Sequence, residues 1–366
     1  MLDNIISKYN ILLWPLTLLY GMGVCLRNQL FKWKILKSKS YPIPVICVGN
    51  LAVGGTGKTP HIEYLIRLLK DQYKVAVVSR GYKRTSKGFV LATCNNSYNE
   101  IGDEPFQIRQ KFTDILVAID SNRQRAIENL LSMSEEDRPE VILLDDAFQH
   151  RYVKPSFSIL LTDYNRMYYD DFLLPSGRLR EPISARERAD MVIVTKTPID
   201  LKPIEYRITE TNIKLQANQP VFFSSIGYDH IRPVFSSDGN KFINQKKVDH
   251  ILLVSGIASP KPFIEEVKKL GCPIEKLIFS DHHDFNESDM KKIKQSFERL
   301  KGENKIILTT EKDAARILNN KYLSVDLKQY CFYLPMHIVF SEESRDNFND
   351  IILKHIDTFS KSYKSF

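Results

Sequence analysis

Cysteine is scarce in this chain and carries no pattern. The five cysteines among 366 residues, Cys25, Cys47, Cys94, Cys272 and Cys331, are scattered, odd in number and include no CxxC. This excludes a disulfide framework and a thiolate zinc site, and fits a reducing compartment. Internal repeats and low-complexity tracts are missing as well, which sets aside solenoids and disordered arrays. No cleavable signal pattern is present, because the apolar stretch after Lys8 meets no small-residue cleavage site. A full-length apolar run is lacking too. The uncharged stretch Tyr9 to Leu26 has 18 residues interrupted by Pro15, Gly21 and Gly23, short of the roughly 20 that cross a bilayer. Arginines are not interleaved with aromatics in any nucleic-acid-binding module, so nucleic acid is not an expected partner.

What is present begins with charge. The net charge is +8, and the first 40 residues hold Lys8, Arg27, Lys32, Lys34, Lys37 and Lys39 against Asp3 alone, six minus one, or +5. Trp14, Tyr20 and Trp33 lie among these lysines in the manner of interfacial anchors. The favoured reading is a helix lying on an anionic membrane surface; a bilayer span and a buried core helix are the alternatives. Hydrophobic residues at 43% and charged residues at 26% are ordinary for a folded protein. The length favours two domains, because single cores rarely grow beyond about 250–300 residues.

Apolar, β-branched runs alternate with helical patterns along the chain. Expected strands are Val45–Val48, Val75–Ser79, Ile115–Ile119, Val141–Leu144, Ser158–Leu161 and Met191–Thr195. A second group follows at Ile251–Ser255, Lys276–Phe279, Lys305–Leu308 and Tyr330–Tyr333, with the clearest helices at Pro262–Leu270 and Ser288–Leu300. Such spacing predicts βαβ units and parallel sheets covered on both faces. The expected fold class is α/β, a P-loop NTPase-like parallel sheet domain with a second, smaller α/β domain. The expected division is a membrane-associated helical segment at 1–40, a larger P-loop domain at 41–222 and a smaller α/β domain at 223–366. The join is expected near Pro220 to Pro233.

The run PVICVGNLAVGGTGKTP, residues 44 to 60, is the most informative stretch. An apolar strand feeds a glycine-rich turn ending in Gly57-Lys58-Thr59, and a helical pattern follows: the Walker A arrangement in its required context. Backbone N–H groups of Gly54, Gly55, Thr56 and Gly57 would face phosphate oxygens of a nucleoside triphosphate, Lys58 would reach the β- and γ-phosphates, and the Thr59 hydroxyl would ligate Mg²⁺. Ala52 replaces the first glycine of the pattern. Val53 stands where dimerising partition ATPases carry a lysine, which argues against that group. VILLDD, residues 141 to 146, has the Walker B form, so Asp145 and Asp146 are candidate Mg²⁺ carboxylates. Gln149 and His150 follow directly, where they could meet substrate. Asp103 in GDEP fits either an acid at a helix N-terminus or a catalytic acid. Asp281-His282-His283-Asp284 fits a metal site, a surface turn or a histidine held by a carboxylate for proton transfer. Arg80 and Tyr82 follow the second strand, and Arg180 and Glu181 sit in LREP; an arginine near a phosphate loop can stabilise charge on the transferred group.

Taken together, GNLAVGGTGKTP, SRGYKR, GDEP, DDAFQH, LPSGRLREP, SGIASP, FSDHHDF and TTEKD resemble, in this order, the tetraacyldisaccharide 4'-kinase family of lipid A biosynthesis, from about residue 40 to about residue 315. The resemblance implies ATP- and Mg²⁺-dependent phosphorylation of the 4'-hydroxyl of a lipid A disaccharide 1-phosphate glycolipid, forming lipid IVA. It places the work at the cytoplasmic face of the Gram-negative inner membrane. It further implies that Asp103 is the catalytic aspartate, paired with the histidine of the DHH motif, His282, and that Lys58 and Thr59 serve the nucleotide and Mg²⁺. Arg80, Tyr82, Gln149, His150, Arg180 and Glu181 match positions near substrate or phosphate. Departures are few: Ala147 replaces the glycine of DDGFQH, Lys83 the glycine after RGY, Arg178 the proline of LPAGPLREP, and Ser280 the proline before DHH. SGIASP is looser than AGIGNP. The competing class is a membrane-attached P-loop ATPase switch without a glycolipid acceptor.

Overall fold

In the computed structural model, the described residues are 2–214, 216, 219–235, 248–281, 283–318 and 320–364, with side chains described between residues 12 and 361. The chain opens with a long helix, α1 (Leu2–Lys32). The first sheet is then laid down by β1 (Val45–Asn50), α2 (Lys58–Leu69), β2 (Val75–Ser79), a short β3 (Val90–Leu91), α3 (Tyr98–Ile101), α4 (Asp103–Lys111), β4 (Leu116–Ile119), α5 (Arg123–Leu131), β5 (Val141–Asp145), β6 (Phe157–Asp163), β7 (Met191–Thr195), α6 (Pro203–Ile213) and β8 (Val221–Phe223). Its eight strands run in the order β3-β4-β2-β5-β1-β6-β7-β8. All pairings are parallel except that of β3 with β4.

The runs that read as strands do so because both faces are covered. β1, β2, β5 and β7 are buried at every position. Ile62, Leu65, Ile66 and Leu69 bring the apolar stripe of α2 onto one face, at the 3.6-residue spacing of a helix packed on a core. Ala126, Ile127 and Leu130 of α5 cover the other face. The chain leaves β1 toward β2, and later passes from β5 to β6 on the opposite side of β1. The carboxyl end of β1 is therefore the topological switch point, where open α/β sheets bind ligands.

The rest of the chain supplies β9 (Ser225–Tyr228), β10 (Arg232–Pro233), β11 (His250–Ser255), α7 (Lys261–Lys268), β12 (Ile274–Ile278), α8 (Glu287–Arg299), β13 (Lys305–Thr310), α9 (Glu311–Leu318), α10 (Val325–Lys328), β14 (Cys331–Leu334), β15 (Met336–Val339) and α11 (Glu342–Lys364). Five strands form a second sheet in the order β10-β14-β13-β11-β12, and β9 pairs with β15 in a separate antiparallel ribbon. The chain leaves the first sheet after β8 and returns to it at the end. Phe348, Ile352 and Ile356 of α11 join the first sheet's core, and the Phe340 ring stacks on Phe348 at 5.0 Å.

The helix α1 inverts the usual arrangement of a surface helix. Its described buried positions are Thr17, Gly21 and Phe31, while Leu12, Trp14, Leu16, Leu18, Leu19, Met22 and Leu26 are exposed. Up to Leu26 the buried positions are small or polar while large apolar groups face outward, with Phe31 buried only in the last turn, the pattern of a helix whose apolar face belongs to another phase. No helix among the described residues is long and apolar enough to cross a membrane.

Candidate active site

The segment between β1 and α2 is built as a phosphate cradle. Gly54 (φ +118°) and Gly57 (φ +84°) take backbone conformations that a side chain would strain. Asn50 at the end of β1 donates from Nδ2 to Thr56 Oγ1 at 2.8 Å. The loop is held from outside as well: Val53 N donates to Arg178 O at 2.8 Å, Arg180 N to Leu51 O at 2.7 Å and Thr195 Oγ1 to Thr56 O at 2.9 Å. Ala52 forms an isolated bridge with Leu179, so the residue that departs from the Walker pattern lies in extended backbone and needs no glycine. Behind the loop, the buried His61 ring contacts Gly57 O at 2.7 Å and Ser224 Oγ at 3.0 Å. Burial lowers its pKa to about 4, and its bond to Gly57 O only partly offsets that, so the ring is neutral near pH 7.

Parallel pairing of β1 with β5 sets Val48 beside Asp145, which delivers the two acids to the loop. Lys58 Nζ lies 3.7 Å from Asp146 Oδ1 and 3.5 Å from Asn50 Oδ1. Asp146 takes a positive φ of 47° and accepts from Arg180 Nη1 at 2.9 and 3.0 Å. Arg180 also donates to Gln149 Oε1 at 3.2 Å, and Gln149 Nε2 donates to Asn50 O at 2.8 Å. Asp145 is buried; its Oδ2 accepts from Ser79 Oγ at 3.2 Å, while Oδ1 has no hydrogen-bond partner. Burial first, then the Glu104 and Asp146 charges, raise the Asp145 pKa to about 7. A buried carboxylate oxygen aimed at no donor and surrounded by like charge fits a cation. Among the described residues, no group of three or more His, Cys, Asp or Glu side chains could hold a metal by itself. Any ion here would therefore need phosphate oxygens among its ligands.

Asp103 opens α4 directly after Gly102 (φ +94°). A Cβ on Gly102 would come within 3.1 Å of Gly81 Cα and of Tyr82 O, so the GDEP turn packs backbone-to-backbone on the RGY turn. This close approach sets Asp103 beside the ends of β2 and β4. Arg80 and Tyr82 are exposed on that rim. Lys83, where the resembled family carries glycine, has φ +59°: the glycine avoided a strain that this lysine accepts. Ala147 is not among the positive-φ residues, and its Cβ sits in the core.

Across from Asp103 stands α9 of the second sheet. Arg316 Nη2 donates to Asp103 Oδ2 in a short ion pair, and Lys312 Nζ lies 2.9 Å from Glu104 Oε1. Lys111 joins Glu63 of α2 (2.6 Å) to Glu311 (2.7 Å). Sequence reasoning did not single out Arg316, Lys312 or Lys111; the only signal was that TTEKD continues as AAR. His282 lies outside the described residues. His283 is engaged elsewhere: its Nε2 contacts Asp289 Oδ2 at 2.8 Å and its ring stacks on Phe279 at 4.8 Å. Tyr98 OH donates to Asp284 Oδ1 at 2.8 Å.

Two candidate substrate residues sit deeper than expected. Glu181 is buried and paired with Arg188, whose guanidinium lies 4.6 Å from the centre of the Phe148 ring. His150 has a buried Nε2 without a hydrogen-bond partner. Burial, followed by repulsion from Arg123, Arg27 and Arg80, lowers its pKa to about 4. The same loops are tied to α1: Tyr20 OH donates to Arg180 O at 2.9 Å, Arg27 to Gln149 O at 2.8 Å, and Thr17 Oγ1 lies 2.6 Å from Ser176 Oγ.

The chain is similar to known proteins along nearly its whole length. The family model for tetraacyldisaccharide-1-P 4'-kinase matches residues 9–357. A tetraacyldisaccharide 4'-kinase of Parabacteroides distasonis is 50% identical over 365 residues, covering 99% of each chain. One of Flavobacterium johnsoniae is 46% identical over 353 residues, covering 96% of this chain and 98% of its own. Among solved structures, "apo" form LpxK from Aquifex aeolicus in complex with ATP is similar at a TM-score of 0.73 and 29% identity, covering 95% of this chain and 99% of that one.

Proposed function

The chain belongs to the tetraacyldisaccharide-1-P 4'-kinase family, and from that membership we infer that it transfers the γ-phosphate of ATP to the 4'-hydroxyl of a tetraacyldisaccharide 1-phosphate, forming lipid IVA. The observation that carries this reading is the meeting of the Lys58 cradle and the Asp145–Asp146 pair at the switch point of the first sheet, with Asp103 at the head of α4 beside the ends of neighbouring strands of that sheet. In an in-line transfer, Asp103 accepts the proton of the sugar hydroxyl, whose oxygen bonds to the γ-phosphorus. The bond to the β–γ bridging oxygen breaks, and ADP leaves. The loop N–H groups and Lys58 hold the phosphates, while Arg180 fixes Asp146 and Gln149 beside them. Thr59 and Asp145, with Asp146 alongside, would hold Mg²⁺, which supplies charge neutralisation on the phosphates when bound; the unpartnered Asp145 Oδ1 supports that assignment. With His283 engaged by Asp289, His282 is the proposed partner of Asp103. The second sheet covers the Asp103 corner through α9, and Arg80 and Tyr82, exposed on the rim, shape the acceptor side.

The same reading places the enzyme at the cytoplasmic face of the inner membrane, with the outward apolar side of α1 in the lipid surface and the acyl chains of the substrate beside it. The discriminating experiment follows labelled γ-phosphate in the presence of the glycolipid. Label on the glycolipid supports the kinase, whereas label found only as free phosphate returns the reading to an ATPase switch. Changing Leu16 and Leu19 to Gln leaves the buried side of α1 intact, so loss of sedimentation with anionic vesicles would locate the membrane contact there.

A further inference from the structure

Two motifs of the second sheet that the mechanism above leaves without a task, TTEKD and SGIASP, converge on one guanidinium. Asp313 of TTEKD is fully buried. Its Oδ2 accepts from Gly256 N of SGIASP at 2.9 Å and from Thr310 Oγ1 at 2.7 Å. Its Oδ1 accepts from Arg316 Nη1 at 2.9 Å, and the same nitrogen donates to Gly256 O at 3.3 Å. A Cβ on Gly256 would stand 3.2 Å from Asp313 Oδ1 and 3.3 Å from both Ser280 O and His283 Cβ, so the glycine lets the turn after β12 close over this cluster. Arg316 is thus held by Asp313 and Gly256, with 3% of its side chain exposed, and its other terminal nitrogen reaches Asp103. A guanidinium fixed this way is a rigid, permanently charged donor.

We propose that Arg316 is a positioning residue for the phosphoryl transfer: it holds the Asp103 carboxylate ionised and fixed in orientation at the head of α4. The proposal rests on Asp103 being the general base. Arg316 itself stays charged. Burial alone would lower its pKa, but the hydrogen bond and charge of Asp103, with Asp313 and Asp281 behind them, outweigh that and raise it. Among the described residues, the other charged and titratable groups near Asp103 and Arg316 include Glu104 on the helix of Asp103, Lys312 on α9, Asp281 after β12, and Tyr98 on α3 with its partner Asp284; His282, the proposed partner of Asp103, lies outside them. Lys312 is held by Glu104, and Arg316 supplies a direct charge contact to Asp103. An arginine in contact with an aspartate favours its charged form over its protonated one.

The test compares full-length wild type, Arg316→Gln and Arg316→Lys in the glycolipid kinase assay across pH, with Asp103→Asn as reference. Arg316→Gln should move the acid limb of kcat/KM upward by about one unit or more and lower kcat at neutral pH by about 10–100-fold, less than the roughly 10²–10⁴ of the base itself. KM for ATP should change little. Arg316→Lys should keep the acid limb of wild type while losing part of kcat, because charge persists and the fork geometry does not. A folded Arg316→Gln enzyme with the wild-type pH profile overturns the proposal. If Arg316→Gln does not fold, Arg316→Lys decides, and wild-type kcat in that variant overturns it. An Asp103→Asn enzyme that keeps its turnover removes the general-base reading instead, whatever the Arg316 variants do.

Discussion

In the phosphate cradle, the contacts come from the first sheet or from loops at its edge, and many use the backbone: Val53 N to Arg178 O, Arg180 N to Leu51 O, and the Thr195 hydroxyl to Thr56 O. At the Asp103 corner, the contacts are charged side chains from residues far along the chain. Arg316 is 213 positions from Asp103, and Lys312 is 208 from Glu104. The cradle is a local device that one strand–loop–helix unit can specify. The corner is assembled across two sheets and depends on buried charges that must stay paired. The cradle should therefore tolerate side-chain change outside its glycines and Lys58, while the corner should fail in both activity and stability when a single partner is lost.

The largest expected effect is on chemistry at the corner. Asp103→Ala should lower kcat by about 10²–10⁴-fold and leave ATP affinity in the cradle nearly unchanged, as equilibrium nucleotide binding would report. Loss of ATP affinity comparable to the loss of kcat would erase the distinction between the two regions.

Next in size is stability at the corner. Asp313→Ala strips the buried anchor from Arg316 and should cost about 3–5 kcal/mol, read as a shifted midpoint in urea. A change below about 1 kcal/mol would mean that the corner is no more dependent on paired charge than an exposed ion pair.

The cradle has its own pH signature. The folded pKa of His61 is about 4, below the roughly 6.5 of an unfolded histidine. As pH falls through that window, the unfolded chain binds a proton that the folded ring refuses, so stability declines with acidification. The full span corresponds to roughly 3 kcal/mol. Asp145, with its pKa raised to about 7, acts in the opposite sense, favouring the folded state at low pH. The measurement is therefore the difference in thermal stability between wild type and His61→Gln from pH 7 to 4, in which the Asp145 contribution cancels. A pH-independent difference would show that the ring does not titrate as described.

The smallest effect belongs to the rim between the regions. Lys83→Gly relieves a left-handed backbone at φ +59° and should raise stability by up to about 1 kcal/mol, visible as a small rise in Tm with unchanged turnover. A fall in Tm would mean that the lysine side chain contributes more than the strain costs.

The regularly spaced strands were legible, and observed ends differ from expected ones by a few residues, as with Phe157–Asp163 for Ser158–Leu161. The short elements β3, β8, β9, β10 and β15 were not legible. Two to four residues carry too little periodicity, and their pairing is decided by where the chain crosses between sheets. Lys58, Asp145, Asp146 and Asp103 could be singled out because their motifs are contiguous. The burial of Glu181 against Arg188 could not, because LREP reads the same whether its acid faces substrate or core.

The order of apolar runs, the glycine-rich loop and the acids at the strand ends determined, from sequence alone, the fold class, the nucleotide cradle and the family resemblance. These are properties of short segments, where backbone conformation and period follow from neighbouring residues. Tertiary structure alone decided that α1 turns its large apolar side chains outward and that α11 returns to the first sheet. It alone brought the Asp313–Arg316 clamp against Asp103. Such contacts depend on which faces remain uncovered after the sheets form, and on buried charges finding partners hundreds of residues away, neither of which is written in any single stretch of the chain.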